Sequence, residues 1–283
     1  MPKKSILFCY AHPDDEVGIV PLANRYMKEE GAYTTLLCTT QGDVGTVSPE
    51  HLQGYSSITE LRLAEFERAI KTAGFDKVVN FGYRDSGMMG SADNEHPESS
   101  WQVPLEVLTS RVIEVMREVR PQIVMTFNTY GAYGHPDHIK INQATQAAFE
   151  QLQSEPDAPQ KLYYVTGPTA LFRLGIALMR LRGKDPRKAG RNNDMDLVAA
   201  INATTAVTTK INTSKYVDVG WKVLECYASQ IQVRPSARLF RMFFQRQTGL
   251  SRVYPQWKPG EKIERDLFEN ITIASEVPDK ALS

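Results

Sequence analysis

Short apolar runs alternate with longer segments of helical periodicity along the first 166 residues. The runs have the length of buried strands, and they predict strands at residues 5–11, 33–39, 77–82, 122–128 and 161–166. The intervening segments predict helices at residues 16–30, 58–74, 104–119 and 138–152. Such alternation is typical of βαβ units. It predicts an α/β fold, a Rossmann-like three-layer sandwich with a mostly parallel sheet.

The alternation stops beyond residue 166. Residues 168–200 hold few acids and a set of basic side chains: Arg173, Arg180, Arg182, Lys184, Arg187, Lys188 and Arg191. Basic runs are usually solvated faces, and a lid over a pocket or a contact for an anionic substrate group is the functional alternative. Residues 216–230 predict a helix that rejoins the core, and the apolar pair Leu267 and Phe268 predicts that the tail docks on the protein.

The expected organisation is one catalytic domain over residues 1–283 with a C-terminal insertion or subdomain. A chain of 283 residues with 42% hydrophobic content can bury one large core. The parts would be a Rossmann-like core at 5–166, a basic insertion or lid at 167–215, and a C-terminal helix and tail at 216–283 that pack on the core.

Charge and cysteine content restrict the classes of partner. Lys plus Arg equals Asp plus Glu at 33 each, so the net charge gives no reason to expect nucleic acid or an anionic membrane. No segment approaches the length of a membrane span. The three cysteines are odd in number and far apart, which fits a reducing compartment. We expect a cytoplasmic protein that acts on a small molecule, and a homo-oligomer remains open.

The first cluster of ionisable residues follows directly after the first predicted strand. His12 and Pro13 close that strand, and we expect Asp14, Asp15 and Glu16 in the first turn of the following helix, where acids also complement the helix dipole. His12 and Asp15 are three residues apart, a spacing that lets both bend towards one divalent ion, while Asp14 points into the same crevice without binding it. A third ligand should then lie elsewhere.

The fourth predicted strand supplies that ligand. It is followed by His135-Pro136-Asp137-His138, and a doubly wound sheet can bring this segment next to the first cluster. His, Asp and His with an open position have the composition of a catalytic zinc site. A dinucleotide-binding site is excluded, because the first strand-to-helix turn lacks G-x-G-x-x-G and has acids where phosphates would bind.

The segments from Ala11 to Glu16 and from His135 to His138 resemble the LmbE-like, or PIG-L, family of zinc-dependent N-acetylglucosaminyl deacetylases. Residues 83–88 and 131–134 resemble its mycothiol-pathway branch in particular. The resemblance implies one Zn²⁺, with Fe²⁺ or another divalent ion as alternatives, and an amino-sugar substrate. The metal ligands would be His12, Asp15 and His138.

The resemblance and the chemistry of the residues together assign the catalytic roles. Asp14 would be the general base, His135 would donate to the oxyanion with help from Tyr133, and Asp137 would orient His135. The expected substrate-binding residues are Asp43, where the family usually has Glu, together with Arg62 and Asp85. The mycothiol branch commonly has His at the position of Tyr227, so this chain departs from it there.

Three functions are compatible with these motifs. The first is a deacetylase for an N-acetylglucosaminyl substrate. The second is an amidase that cleaves a thiol conjugate with the same metal centre, and the third is a sugar-binding protein without activity. Every motif position of the family is filled, which favours an enzyme over the inactive protein.

Overall fold

The computed structural model describes residues 4–166, 169–190, 192–231 and 246–273, so Arg191 and parts of the predicted insertion and tail lie outside the described residues. In the described part, one seven-stranded sheet is made by β1 (Ser5–Tyr10), β2 (Tyr33–Thr40), β3 (Lys77–Tyr83), β4 (Ile123–Thr126), β5 (Lys161–Thr166), β6 (Thr209–Asn212) and β7 (Gln247–Tyr254).

The strand order is β3-β2-β1-β4-β5-β7-β6. Strands β1 to β5 pair in parallel, and β7 lies antiparallel between β5 and β6. All six residues of β1 are buried, as expected for a central strand with helices on both faces. The predicted α/β class with a mostly parallel sheet is therefore confirmed. Between β1 and β4 the direction of strand addition reverses, and ligands in such sheets bind at this switch point.

The helices are α1 (Val20–Glu30), α2 (Ile58–Ala73), α3 (Leu105–Val119), the single turn α4 (Gly131–Gly134), α5 (Pro136–Leu152), α6 (Thr169–Leu181), α7 (Leu197–Asn202) and α8 (Val217–Cys226). Helices α1 and α2 pack with α8, and α3 packs with α5. The expected C-cap glycines Gly31 and Gly74 have φ 64° and 78°, a left-handed conformation that glycine adopts without steric cost.

The acidic cluster after β1 does not lie in the first turn of α1, contrary to expectation. Asp14 has φ 103°, Asp15 starts a short 3₁₀ helix that ends at Gly18, and α1 begins only at Val20. The physical reason is local hydrogen bonding. Asp15 Oδ2 accepts the backbone N–H groups of Ala11 and His12, at 3.2 and 2.7 Å, and this contact folds the chain back on the strand end.

The C-terminal residues complete the sheet, and the sequence did not reveal β6 or β7. A buried ion cluster fastens this region, because Glu264 accepts hydrogen bonds from Lys161 and Tyr163 of β5, Thr209 of β6 and Arg252 of β7, at 2.7 to 2.8 Å. Beyond it, the tail residues Leu267 and Phe268 are buried in the core, as their apolar character predicted. Within the described ranges, every helix is too short or too polar to cross a bilayer.

Candidate active site

The polar segments after β1 and β4 meet at one edge of the sheet. These strands are neighbours, so their carboxyl ends open onto the same crevice. The side chains that converge there are each at most 8% exposed: His12, Asp15, Asp85, His135, Asp137 and His138. Ionisable groups that are buried together need partners of opposite charge or hydrogen bonds. The partners of each ring nitrogen therefore decide the chemistry of this cluster.

Hydrogen bonds fix the protons of two histidines. His12 Nε2 donates to the carboxylate of Asp137 at 3.1 Å, and His138 Nδ1 donates to the carbonyl of Gly131 at 3.2 Å. In the neutral rings the remaining nitrogens, His12 Nδ1 and His138 Nε2, are then unprotonated, and they face each other at 3.0 Å. Asp15 adds oxygens 3.4 Å from His12 Nδ1 and 3.3 Å from His138 Nε2.

Three groups with free electron pairs, His12 Nδ1, His138 Nε2 and the Asp15 carboxylate, thus converge without a proton between them. Such an arrangement attracts positive charge, either a proton shared between the rings or a metal ion. Ligand atoms bound tetrahedrally at the metal–nitrogen distance of zinc are roughly 3.3 Å apart, close to the spacings found here. Consistently, although burial opposes charge on His12, the carboxylates of Asp85, Asp137 and Asp15 raise its pKa well above the ordinary value. The buried His/Asp cluster could therefore bind a metal ion.

His135 belongs to the same cluster, but the ring nitrogen that it presents there carries a proton. Its Nδ1 accepts the backbone N–H of Asp137 at 3.2 Å, so in the neutral ring the proton is on Nε2. Burial, together with the charges of His12 and His138, lowers the pKa of His135 well below its usual value and keeps the ring neutral. His135 therefore presents a hydrogen-bond donor beside the three acceptors.

The contacts of Asp137 differ from the sequence prediction. We expected its carboxylate to orient His135, yet the nearest approach to His135 Nδ1 is 3.9 Å. The carboxylate instead accepts from His12, from the backbone of Ser86 at 2.9 Å and from the Ser86 hydroxyl. Asp137 reaches His135 only through its backbone N–H, because His135 is the N-cap of α5.

Asp14 stands apart from its neighbour Asp15. It lies on the wall of a cavity, and its Oδ2 accepts a hydrogen bond from Arg62 at 2.9 Å. Burial raises the pKa of the Asp14 carboxyl, an effect that the positive charge of Arg62 partly offsets. A carboxylate with a raised pKa takes up a proton more readily than a free one, as the predicted role of Asp14 requires.

The cavity has a volume of about 610 Å³, within the range of small-molecule sites. Of the expected functional residues it is lined by His12, Asp14, Arg62, Asp85, Tyr133 and His135. The structure thus brings these residues together. A larger concavity of about 1080 Å³ lies near Ser5 and Gln122 at the opposite edge of the sheet, away from the His/Asp cluster.

Two of the three expected substrate-binding residues lie on the cavity wall, and the third lies behind it. Arg62 is 2% exposed, and its Nε and Nη1 have no hydrogen-bond partner. The carboxylate of Asp85 is 3.6 Å from His12 Nε2 and 3.7 Å from His135 Nε2. Although burial opposes it, the charge of His12 lowers the pKa of Asp85. Asp43 is not among the lining residues; it accepts the backbone N–H of Asp85 at 2.9 Å.

Sequence reasoning missed the outer wall of the cavity. It includes Asn192, Asp194 and Met195 from the insertion and Gln230 and Ile231 after α8. The insertion was noticed for its basic residues, but none of those in the described part lines the cavity. The predicted segment 216–230 includes Gln230, but the sequence carried no indication of what that residue contacts.

A buried His/Asp cluster that could bind a metal ion lies at the switch point, and it opens onto a cavity with a carboxylate on its wall; this arrangement is compatible with an α/β hydrolase. The chain belongs to the PIG-L family, whose model, described as GlcNAc-PI de-N-acetylase, matches residues 7–149. It is similar to the 1D-myo-inositol 2-acetamido-2-deoxy-alpha-D-glucopyranoside deacetylase of Thermobifida fusca, with 33% identity over 82% of this chain and 85% of that protein.

Solved structures show the same fold. The N,N'-diacetylchitobiose deacetylase of Pyrococcus horikoshii superposes with a TM-score of 0.54 at 17% identity, over 91% of this chain and 87% of that one. The 4-carboxy-2-hydroxymuconate hydratase of Pseudomonas putida superposes with a TM-score of 0.55 at 18% identity, over 91% and 99%. Proteins with different activities thus share this fold, so residues of the site must carry the functional inference.

Proposed function

We propose that this protein hydrolyses the acetamide of an N-acetylglucosaminyl inositol, releasing acetate and the free amine. The observation that carries the proposal is the convergence of His12 Nδ1, His138 Nε2 and the Asp15 carboxylate beside a base and a hydrogen-bond donor. The substrate is proposed from the name of the Thermobifida fusca relative.

The proposed metal is one Zn²⁺, with Fe²⁺ or another divalent ion as alternatives, and its ligands are His12, Asp15 and His138. Two imidazoles and a carboxylate with an open position have the composition of catalytic zinc sites. When bound, such an ion supplies a Lewis acid and lowers the pKa of a water at the open position. Asp137 and the carbonyl of Gly131 support this assignment, because they hold His12 and His138 in the required tautomers.

Asp14 is proposed as the general base that takes the proton of the attacking water. Its raised pKa and its place on the cavity wall support this role. The developing oxyanion would receive hydrogen bonds from His135 Nε2 and the hydroxyl of Tyr133. Burial raises the pKa of Tyr133 well above the ordinary phenol value, so its hydroxyl keeps the proton that it donates. Protonated Asp14 then returns a proton to the leaving amine.

The cavity suits an uncharged polar substrate. Arg62 and Asp85 are proposed to bind sugar hydroxyls, and Asp43, which accepts from the backbone of Asp85, contributes through that contact or directly. At the outer wall, Asp194 adds negative charge, which disfavours a phosphate on the aglycone, whereas Arg84 balances the charge of Asp93 at 2.6 Å. A volume of about 610 Å³ can accept much of a disaccharide-sized ligand.

The function is tested by acetate release from three acetamides, N-acetylglucosaminyl inositol, its phosphoinositol counterpart and diacetylchitobiose, and by release of the free amine from cysteinyl conjugates, whose amide is cleaved without loss of acetate. We expect the uncharged inositol glycoside to be preferred, and chelation to abolish activity that added Zn²⁺ restores. His138→Ala removes one of three ligands, so zinc content and activity should fall together, whereas His51→Ala, outside the cluster, should change neither.

Two results would refute the proposal. If the zinc-loaded protein releases acetate from none of these compounds, the deacetylase assignment is wrong. Cleavage of the cysteinyl conjugates alone would make the protein an amidase with the same centre. Stoichiometric zinc in His138→Ala would refute only the ligand assignment.

A further inference from the structure

The backbone of the proposed base is strained. Asp14 has φ 103° and ψ −19°, a conformation that residues with a side chain rarely adopt. Strain of this kind persists only where surrounding contacts over-determine it, and it concentrates at functional sites. The contacts that hold Asp14 in this conformation therefore determine where its carboxylate lies in the site.

Two neighbours hold Asp14 from opposite sides. Arg62 Nη2 donates to the carboxylate of Asp14 at 2.9 Å and to the carbonyl of Pro13. On the other side, the backbone N–H of Asp14 donates to Glu16 Oε2 at 3.1 Å. Arg62 thus fixes the carboxylate, and Glu16 fixes the strained peptide that carries it.

Glu16 is itself fixed from a distant part of the chain. Its side chain is 1% exposed, it is not among the residues that line the cavity, and its Oε1 accepts the hydroxyl of Tyr227 at 2.5 Å. Tyr227, the C-cap of α8, is fully buried. The Arg62 guanidinium lies 5.8 Å from the centroid of the Tyr227 ring, so Tyr227 touches both groups that hold Asp14.

A buried Tyr–Glu hydrogen bond can also serve stability alone, and the protein contains such a pair for comparison. Tyr163 donates to Glu264 at 2.8 Å in the ion cluster of β5 to β7, where both residues are buried. Glu264 has no contact with the cavity among the described residues. Glu16 differs because its second oxygen binds the backbone of Asp14.

We propose that Glu16 and Tyr227 are a positioning pair that keeps the carboxylate of Asp14 in its place on the cavity wall. The proposal rests on the proposed role of Asp14 as general base. It makes the end of α8 part of the catalytic apparatus, although α8 supplies no group that touches the substrate.

The test compares Tyr227→Phe with the matched control Tyr163→Phe, since each removes one buried hydroxyl from a glutamate. In Tyr227→Phe, kcat should fall about 10- to 100-fold with KM and zinc content nearly unchanged. In Tyr163→Phe, kcat should stay at the wild-type value. Glu16→Gln and the double variant Glu16→Gln/Tyr227→Phe complete a cycle, and a pair that acts as one unit gives a double variant no slower than the slower single variant.

A crystal structure of Tyr227→Phe gives a readout that needs no activity. Asp14 should leave the left-handed region or show two conformations, and its contact with Arg62 should weaken, while Tyr163→Phe keeps the wild-type geometry. Unchanged kcat in Tyr227→Phe, or unchanged Asp14 geometry, would overturn the proposal, as would parallel loss of zinc. Should the wild-type protein deacetylate none of the panel, the proposed function fails, and the crystal structures still decide whether the pair positions Asp14.

Discussion

At the scale of single residues, the neighbours of a side chain determine its role more than its type does. Asp14 and Asp15 are adjacent and chemically identical, yet Asp15 accepts two backbone N–H groups with one oxygen and faces His138 with the other. These contacts favour the charged form of Asp15: although burial opposes ionisation, His138 and His12 lower its pKa well below the usual value. Asp14 is held by Arg62 at the cavity wall, and its pKa is raised.

Substitution by Asn should separate these two roles. Asp14→Asn keeps the shape of the side chain but cannot take a proton, so kcat should fall by about 10²- to 10⁴-fold while zinc content stays constant. Asp15→Asn replaces a charged ligand by a neutral one, so zinc affinity itself should fall. Zinc occupancy and kcat are measured for both variants. Loss of zinc in Asp14→Asn, with zinc retained in Asp15→Asn, would show that the roles are reversed.

At the scale of secondary-structure elements, the single turn α4 positions the second half of the site. Gly131 has φ 65°, its carbonyl accepts from His138, and a Cβ built on it would lie 2.8 Å from the Cβ of His138 and 2.9 Å from the backbone N of Ile139. No larger residue fits there without displacing α5. The glycine thus sets the distance between the turn and the proposed ligand.

Gly131→Ala should therefore damage both stability and metal binding. Overpacking and left-handed strain together should lower the free energy of unfolding by about 1–3 kcal/mol, and zinc affinity should fall because His138 moves. Gly74→Ala is the matched control. It has φ 78° but nothing within 4 Å of the added Cβ, so it tests the strain alone. Equal zinc affinity in the two variants would refute the positioning role of Gly131.

The sequence predicted the elements of the first 166 residues closely, because apolar periodicity reflects burial directly. Helix α2, for example, was expected at 58–74 and spans Ile58–Ala73. The strands β6 and β7 were not predicted, since β6 has only four residues and both strands follow the irregular insertion. The Glu16–Tyr227 contact spans 211 residues of sequence, and local patterns carry no information about such pairs.

Within the site, the residue types were predictable and their partners were not. The motifs identified His12, Asp15 and His138 as a set, and their side chains do meet. The carboxylate of Asp137 was expected to orient His135. In the structure α5 begins at Pro136 and turns that carboxylate towards His12, a choice that depends on helix geometry rather than on spacing.

At the scale of the whole molecule, the cluster around Glu264 joins the C-terminal residues to the sheet. Burial alone would raise the pKa of this carboxyl, but Lys161, Thr209 and Tyr163 hold it below its usual value. A lowered pKa in the folded state means that the contribution to stability is present at neutral pH. It is lost as the pH falls below the unfolded value of about 4.3 and through the folded one.

Glu264→Gln should consequently destabilise the protein at neutral pH and progressively less in acid. Removing one charge from a buried pair should lower the free energy of unfolding by about 3 kcal/mol at about pH 7. The difference from wild type should shrink towards about pH 4 and below, as the wild-type carboxyl takes up its proton. Glu155→Gln, which breaks an exposed pair with Arg117, is the control and should leave stability unchanged. Denaturant unfolding over this pH range measures both, and a pH-independent difference would refute the ionic role.

The two residues of the Glu16–Tyr227 hydrogen bond are 211 positions apart, so the ribosome adds them at very different times. Every proposed ligand, the base and the oxyanion donors lie between residues 12 and 138, whereas the phenol that supports the base comes after residue 226. A growing chain therefore contains every proposed ligand, the proposed base and both proposed oxyanion donors well before Tyr227 has been added, so the proposed support for the base is the last part of the site to be synthesised.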